Sequence, residues 1–204
     1  MSMKNHIVLK HFQTVDPILY EAARKMGPFT LVKSDDYFMS LCREIIGQQL
    51  AGKAAEAIFN RFVGLFPDKK ITIEYVLALP DEAIRAIGTS WAKARFIKDA
   101  AAKIHTKELD LSMLDGLSNE DVMAQLTKVK GIGPWTAEMF LMFTLARPDI
   151  FSHGDLGLFR AMQRLYKFKK ASRKKIEQIS QKWSPYRTYA CLVLWDSLDR
   201  KEEQ

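Results

Sequence analysis

Cysteine is nearly absent from this chain: Cys42 and Cys191 are the only two in 204 residues. Two thiols supply neither a disulfide framework nor a cysteine-rich metal site, and they suit a reducing compartment. Histidine is scarce as well, and four scattered imidazoles do not make a metal centre. No apolar run approaches the roughly 20 residues that a membrane helix needs. Residues 1–10 lack the continuous apolar core of a secretory signal. No stretch alternates apolar and polar residues for long enough to specify a strand, and there is no internal repeat or low-complexity segment. These absences exclude a disulfide-stapled secreted module, a membrane-spanning protein and an all-β domain. They leave an expectation of a soluble intracellular chain without a bound metal.

Hydrophobic residues make up 48% of the chain, enough for a packed core. The formal charge of +7 suits a polyanionic partner. Periodicity then predicts an all-α fold of about ten or eleven helices. Asp16-Pro17 caps and opens a helix that stops at Gly27-Pro28. Ser34-Asp35-Asp36 leads into an amphipathic helix through Ile46, which ends in Gly47-Gln48-Gln49-Leu50-Ala51-Gly52; another follows through Val63. Two short helices over 72–79 and 80–87 precede a longer one over 90–105, whose apolar face is Ala94, Ile97, Ala100, Ala101 and Ile104. Further helices are expected over 156–165, 172–183 and 185–198.

The stretch Leu126 to Ala137 is the most informative. Ser118 can cap the preceding helix, with Asp121 three residues on. Pro134 opens the following one, where its missing N–H is harmless. Between them, Gly131 and Gly133 bracket Ile132. Glycine permits a reversal with positive φ and clears side chains from backbone amides. Amides at a helix start, together with the helix dipole, form an anion site, and phosphate is the natural occupant. In isolation a two-glycine turn more often only fits a bend. Here the longer order of residues resembles the helix-hairpin-helix element, a grip on DNA phosphates that reads no bases. Lys128 and Lys130 are expected to add cationic contacts to the backbone, beside Gly131, Ile132, Gly133 and Thr136.

Asp155 is the candidate for the chemistry. It follows Ser152-His153-Gly154 and begins a helix, so its plainest reading is an N-cap, a role for which aspartate is favoured. A carboxylate there can also face positive charge developing on a sugar ring, and one carboxylate can do both.

Taken together, the hairpin Val129 to Trp135, Asp155 about twenty residues later, and Ile46-Gly47-Gln48-Gln49 upstream resemble the helix-hairpin-helix-GPD superfamily of DNA base-excision glycosylases. In detail the chain most resembles the 3-methyladenine DNA glycosylase II branch, from roughly Asp35 to Leu198. The resemblance implies two helical subdomains flanking a DNA-binding cleft. One is a multi-helix barrel over 35–133 ending in the hairpin; the other comprises 1–34 and 134–204 and carries Asp155. It implies that a damaged nucleotide is flipped from the duplex and its base released. Gln49, or neighbouring Leu50, would fill the gap left in the stack. Trp135 and Trp195 stand at positions that line the base pocket in that branch, where an electron-rich face suits a cationic alkylated purine. Trp91, Met139 and Tyr189 are further pocket candidates. Each of these aromatic residues is equally readable as core.

Trp135 also stands where strand-cutting members carry a nucleophilic lysine. A tryptophan cannot form a Schiff base, so a monofunctional glycosylase without abasic-site lyase activity is expected. The terminal cysteine cluster of iron–sulfur relatives is missing, so no such cofactor is expected; a monovalent cation on hairpin carbonyls is allowed by the resemblance. No counterpart of the β-rich N-terminal domain of some members is expected. A monomer acting on double-stranded DNA is expected, in the cytoplasm of a bacterium or the nucleus of a eukaryote. The basic run Lys167 to Lys175, six cationic residues in nine, either tracks the DNA backbone or is a solvated surface. The alternatives are a glycosylase for deaminated or oxidised bases, and a helix-hairpin-helix DNA-binding module without catalysis.

Overall fold

Short polar side chains set most of the helix starts. Asp16, Asp36, Thr72, Ser90, Ser118, Asp155 and Ser172 each accept a hydrogen bond from the amide three residues on. Each satisfies an N–H that the first turn would otherwise leave without a partner, and each contributes about 1 kcal/mol. The computed structural model describes residues 3–168 and 172–202.

Within these residues lie twelve α-helices and no strand. In chain order they are α1 (Met3–Val15), α2 (Pro17–Met26), α3 (Tyr37–Gly47), α4 (Gly52–Val63), α5 (Ile73–Ala78), α6 (Asp81–Ala86) and α7 (Trp91–His105). Then come α8 (Asn119–Leu126), α9 (Pro134–Met139), α10 (Leu156–Leu165), α11 (Arg173–Gln181) and α12 (Arg187–Glu202). The all-α expectation holds. In helix α1 the buried apolar residues are few, Val8 and Phe12, so its pattern does not stand out in the sequence.

The chain forms two compact units, one from residues 33–145 and one from 1–32 with 146–204. In the unit 33–145, α7 packs on α3, α5 and α6, and α9 on α3 and α8. Its core includes Leu41, Ile45, Ile46, Phe62, Ile84, Ala94, Ile97, Ala101 and Leu126. Residues 134–145, grouped by sequence with the C-terminal helices, belong to this unit. After Met139 the helix widens into a π turn over Phe140–Thr144, closed by the Leu145 amide on the Phe140 carbonyl at 3.0 Å. One residue is thereby added to the turn. Phe140, Leu141, Met142 and Thr144 are buried, and Phe143 is left at the surface.

In the other unit, α2 packs on α1 and α12, and α12 on α10. Its centre holds a buried carboxylate. Asp16 caps α2 through Oδ1 and accepts from Trp183 Nε1 at 2.9 Å and the Tyr166 hydroxyl at 2.5 Å through Oδ2. Burial beside Asp16 raises the Tyr166 pKa far above the ordinary phenol value, so the hydroxyl donates as a neutral group. Three donors from separate segments thus satisfy a charge that would be costly to bury alone.

Candidate functional site

In the unit 33–145 the hairpin and the turn after α3 are held by one helix, α7. Gly131 adopts φ +81°, a left-handed conformation in which glycine is favoured. It also lies over the Phe96 ring, where a Cβ would sit 2.1 Å from ring carbon. Gly133 differs. Its φ of −96° suits any residue and a Cβ there would meet open space, so its glycine serves exposure rather than shape. The Lys130 amide donates to Asp99 Oδ2 at 2.8 Å, and the Ile132 amide to the Val129 carbonyl at 3.1 Å. Ile132 itself is buried, so its part in the hairpin is to anchor the bend. Lys130 keeps its side chain 77% exposed, with Asp99 3.8 Å away, and Lys128 is exposed while donating to Gln125.

Residues 47–50 form a type II turn. Gln48 has φ −49° and ψ 129°, Gln49 has φ +57°, and the Leu50 amide reaches the Gly47 carbonyl at 3.1 Å. That third position favours glycine or asparagine, and a longer side chain there costs on the order of 1 kcal/mol. Gln49 and Leu50 project as exposed side chains at its tip. Two braces hold the turn. Lys93 of α7 donates to the Ile46 carbonyl at 2.8 Å and the Gln48 carbonyl at 2.6 Å, and its burial lowers its pKa. Gln48 Nε2 donates to the Gly131 carbonyl at 2.9 Å and to Thr136 Oγ1 at 3.0 Å. A carbonyl can only accept, so this geometry fixes which end of the Gln48 amide faces the hairpin. Thr136 is buried and engaged by Gln48. One turn before Gln48, Glu44 is half-buried, and burial pushes its carboxyl pKa up to about 7 against the pull of Arg43.

In the unit of 1–32 and 146–204, Asp155 caps α10. Its Oδ1 accepts from the Leu158 amide at 2.7 Å and from Trp195 Nε1 at 3.2 Å. Gly157 gives these groups room, since a Cβ there would lie 3.0 Å from Asp155 Oδ1 and 3.4 Å from the Trp195 ring. The segment approaching Asp155 is tied to the start of α12. Arg187 pairs with both oxygens of Asp149, at 2.7 and 3.1 Å, and Ser184 donates to Oδ2 at 2.7 Å. Burial alone would raise the Asp149 pKa, but Arg187 and Ser184 outweigh it and hold the carboxyl below its ordinary value. The Thr188 amide donates to the Pro148 carbonyl at 3.0 Å, and the Ile150 amide to Thr188 Oγ1 at 3.0 Å. Helix α12 therefore sets both the approach and, through Trp195, the carboxylate.

Among the aromatic candidates, Trp195 donates to the carboxylate. Tyr189 is fully buried between Phe29 and Tyr186 and is a core residue of its unit. Met139 is buried in the unit 33–145, where Trp91 and Trp135 are 45% and 38% exposed. His153 sits edge-on to Phe151. Desolvation first, then Arg173 and Arg187, keep its pKa below the ordinary imidazole value, with Glu177 opposing. Of the basic run, Lys169, Lys170 and Ala171 lie outside the described residues. Ser172 caps α11, and Lys175 covers the Phe168 ring at 4.0 Å. A groove of about 940 Å³ flanked by Ile18, Lys25, Arg164 and Arg200 reaches Lys167 at the head of the basic run and includes none of the catalytic, base-pocket, wedge or hairpin candidates. Among the described residues no group of three or more His, Cys, Asp or Glu side chains could hold a metal, and no helix is long and apolar enough to cross a membrane.

Gln48, Lys93, Phe96, Asp99 and Asp149 are the residues that sequence reasoning missed or passed over. A signal exists for three of them: Lys93, Phe96 and Asp99 fall three apart on α7, along one strip of its surface.

Comparison with known proteins gives this geometry a context. A DNA-3-methyladenine glycosylase of Saccharomyces cerevisiae is 31% identical over 94% of this chain and 79% of its own length. The crystal structure of a DNA-3-methyladenine glycosidase from Bacillus halodurans matches with a TM-score of 0.82 at 35% identity, covering 97% of this chain and 91% of that one. The 3-methyladenine DNA glycosylase Mag1 of Schizosaccharomyces pombe, solved in complex with abasic DNA, matches with a TM-score of 0.80 at 30% identity over 92% and 94% of the two chains. The model of the HhH-GPD superfamily base excision DNA repair proteins matches residues 42–185, and the chain belongs to that superfamily.

Proposed function

We propose that the protein is a monofunctional DNA glycosylase that flips alkylated purines of the 3-methyladenine and 7-methylguanine type out of duplex DNA and hydrolyses their glycosidic bond. The observation that carries this reading is Asp155, a helix-capping carboxylate fixed by Trp195 Nε1 and Leu158 N–H in a chain of this superfamily. The relatives named for 3-methyladenine supply the substrate class.

An N-alkylated purine carries positive charge, so the bond to C1′ breaks with its electron pair moving onto the base, which leaves neutral. The sugar is left as an oxocarbenium ion, and the Asp155 carboxylate lowers the energy of that charge. Water adds to C1′ and loses a proton, either to Asp155 or to solvent, leaving an abasic site. Little protonation of the leaving base is required, so one carboxylate suffices and the reaction draws on no cofactor. Gly131 and Gly133, both exposed, present the backbone of the hairpin to phosphates, with the Lys128 and Lys130 ammonium groups adding charge. Gln49, beside Leu50, enters the stack where the base has left, and the electron-rich face of an indole, Trp135 or Trp195, suits the cationic extruded ring.

Trp135 also supports hydrolysis without strand cleavage, because its indole offers no amine to attack C1′. The chain acts as a monomer. The test is incubation with methylated duplex DNA: free methylated purine should appear together with abasic sites that break only on heating or in alkali. Strand breaks formed without either treatment would contradict the monofunctional assignment, and intact methylated DNA would contradict the activity.

A further inference from the structure

We infer that Gln48 and Lys93 are positioning residues that hold the wedge turn in its extruding shape before DNA arrives. The inference rests on the glycosylase reading above. Gln49 occupies a left-handed backbone position that an ordinary side chain disfavours, and such positions persist only where the surroundings over-determine them. Here the surroundings are the two braces. Lys93 closes on the carbonyls of Ile46 and Gln48, just ahead of Gln49, and fixes the last turn of α3. Gln48 ties the same turn to the hairpin by bonding the carbonyl of Gly131 and the hydroxyl of Thr136. The α7 strip completes the frame, because Asp99 and Phe96 hold the hairpin at Lys130 and Gly131. The wedge and the backbone grip are therefore one braced body. A phosphate contact at the hairpin sets where Gln49 enters the stack.

A brace of this kind acts on extrusion rather than on bond cleavage. Its removal should slow the enzyme where the base must be pulled from a paired stack, and matter little where the opposite strand already offers a gap. The test uses the full chain in excess over two duplexes, each bearing a single 7-methylguanine, opposite cytosine in one and opposite a tetrahydrofuran abasic analogue in the other. Gln48→Ala and Lys93→Met are each expected to slow release from the paired site by about tenfold or more, and from the gapped site by less than about threefold. Lys93→Arg, which keeps a cationic donor, should recover the paired site to within about threefold. Equal losses on both duplexes, or no loss on the paired one, would overturn the positioning role. Circular dichroism melting checks that each variant is folded, and Gln48→Glu, which places an acceptor against the Gly131 carbonyl, replaces Gln48→Ala if that variant fails to fold. Absence of release by the unmutated chain from both duplexes would overturn the glycosylase reading itself, and the positioning role with it.

Discussion

In the unit 33–145 the hairpin exposes Gly131 and Gly133 along with the Lys128 and Lys130 side chains, while Gln48, Lys93 and Asp99 bond backbone groups and Phe96 lies under Gly131. In the unit of 1–32 and 146–204 the arrangement is reversed. A single side chain, Asp155, is offered, and it is held through its own carboxylate by a backbone amide and an indole N–H. Under the proposed function the contrast follows from what each part does. A grip on phosphates has to ignore base sequence, so uniform backbone atoms suit it. Stabilising one developing charge requires one group at one place, so a fixed carboxylate suits that.

The two glycines sharpen this contrast, and the largest effect is expected at Gly131. Gly131→Ala puts a methyl group into the Phe96 ring at a φ that alanine disfavours, and should destabilise the fold by about 2–4 kcal/mol while weakening binding to all DNA sequences alike. A melting temperature unchanged from the parent would show that the hairpin yields and that Phe96 does not define it.

A smaller, pH-dependent effect is expected at Glu44. Its folded pKa of about 7 lies above the ordinary carboxylate value, so the folded state binds this proton more tightly than the unfolded state does. Stability is complete below the unfolded pKa and falls as pH rises from there through about 7. Glu44→Gln removes that loss. The variant should match the parent near pH 4 and exceed it at pH 8 by on the order of 1–3 kcal/mol, read from denaturant midpoints. An advantage that is the same at both pH values would remove Glu44 titration as its source.

The smallest effect on the fold belongs to Gly133→Ala, which meets open space at an ordinary φ. Melting should be unchanged, and any loss of DNA binding would then report the approach of phosphate to that amide. A large drop in stability would break the distinction between the two glycines.

What was legible in the sequence was local. Asp16, Ser118 and Asp155 declare helix starts as capping residues, and those caps are present. The two-glycine bend and Asp155 were found through their neighbours in the chain. The braces were not legible, because Gln48 meets its partners 83 and 88 residues away, and Lys93 reaches back 45 and 47 residues. Gln48 reads in sequence as an ordinary polar helix end. Its donor groups acquire meaning only when the fold delivers the Gly131 carbonyl and the Thr136 hydroxyl. The Asp149–Arg187 pair is hidden for the same reason, across 38 residues. Tyr189 shows the converse difficulty. Spacing on α12 cannot tell a core phenol from one facing a ligand, and burial decides for the core.

The most direct test is single-turnover base release from methylated duplex by Asp155→Asn, measured beside its affinity for duplex containing an abasic analogue. Asparagine also caps a helix, so the variant should fold and bind within about threefold of the parent. Loss of the negative charge should slow base release by at least about 100-fold. Release at the parent rate would contradict the assignment of Asp155 as the group that stabilises the sugar cation.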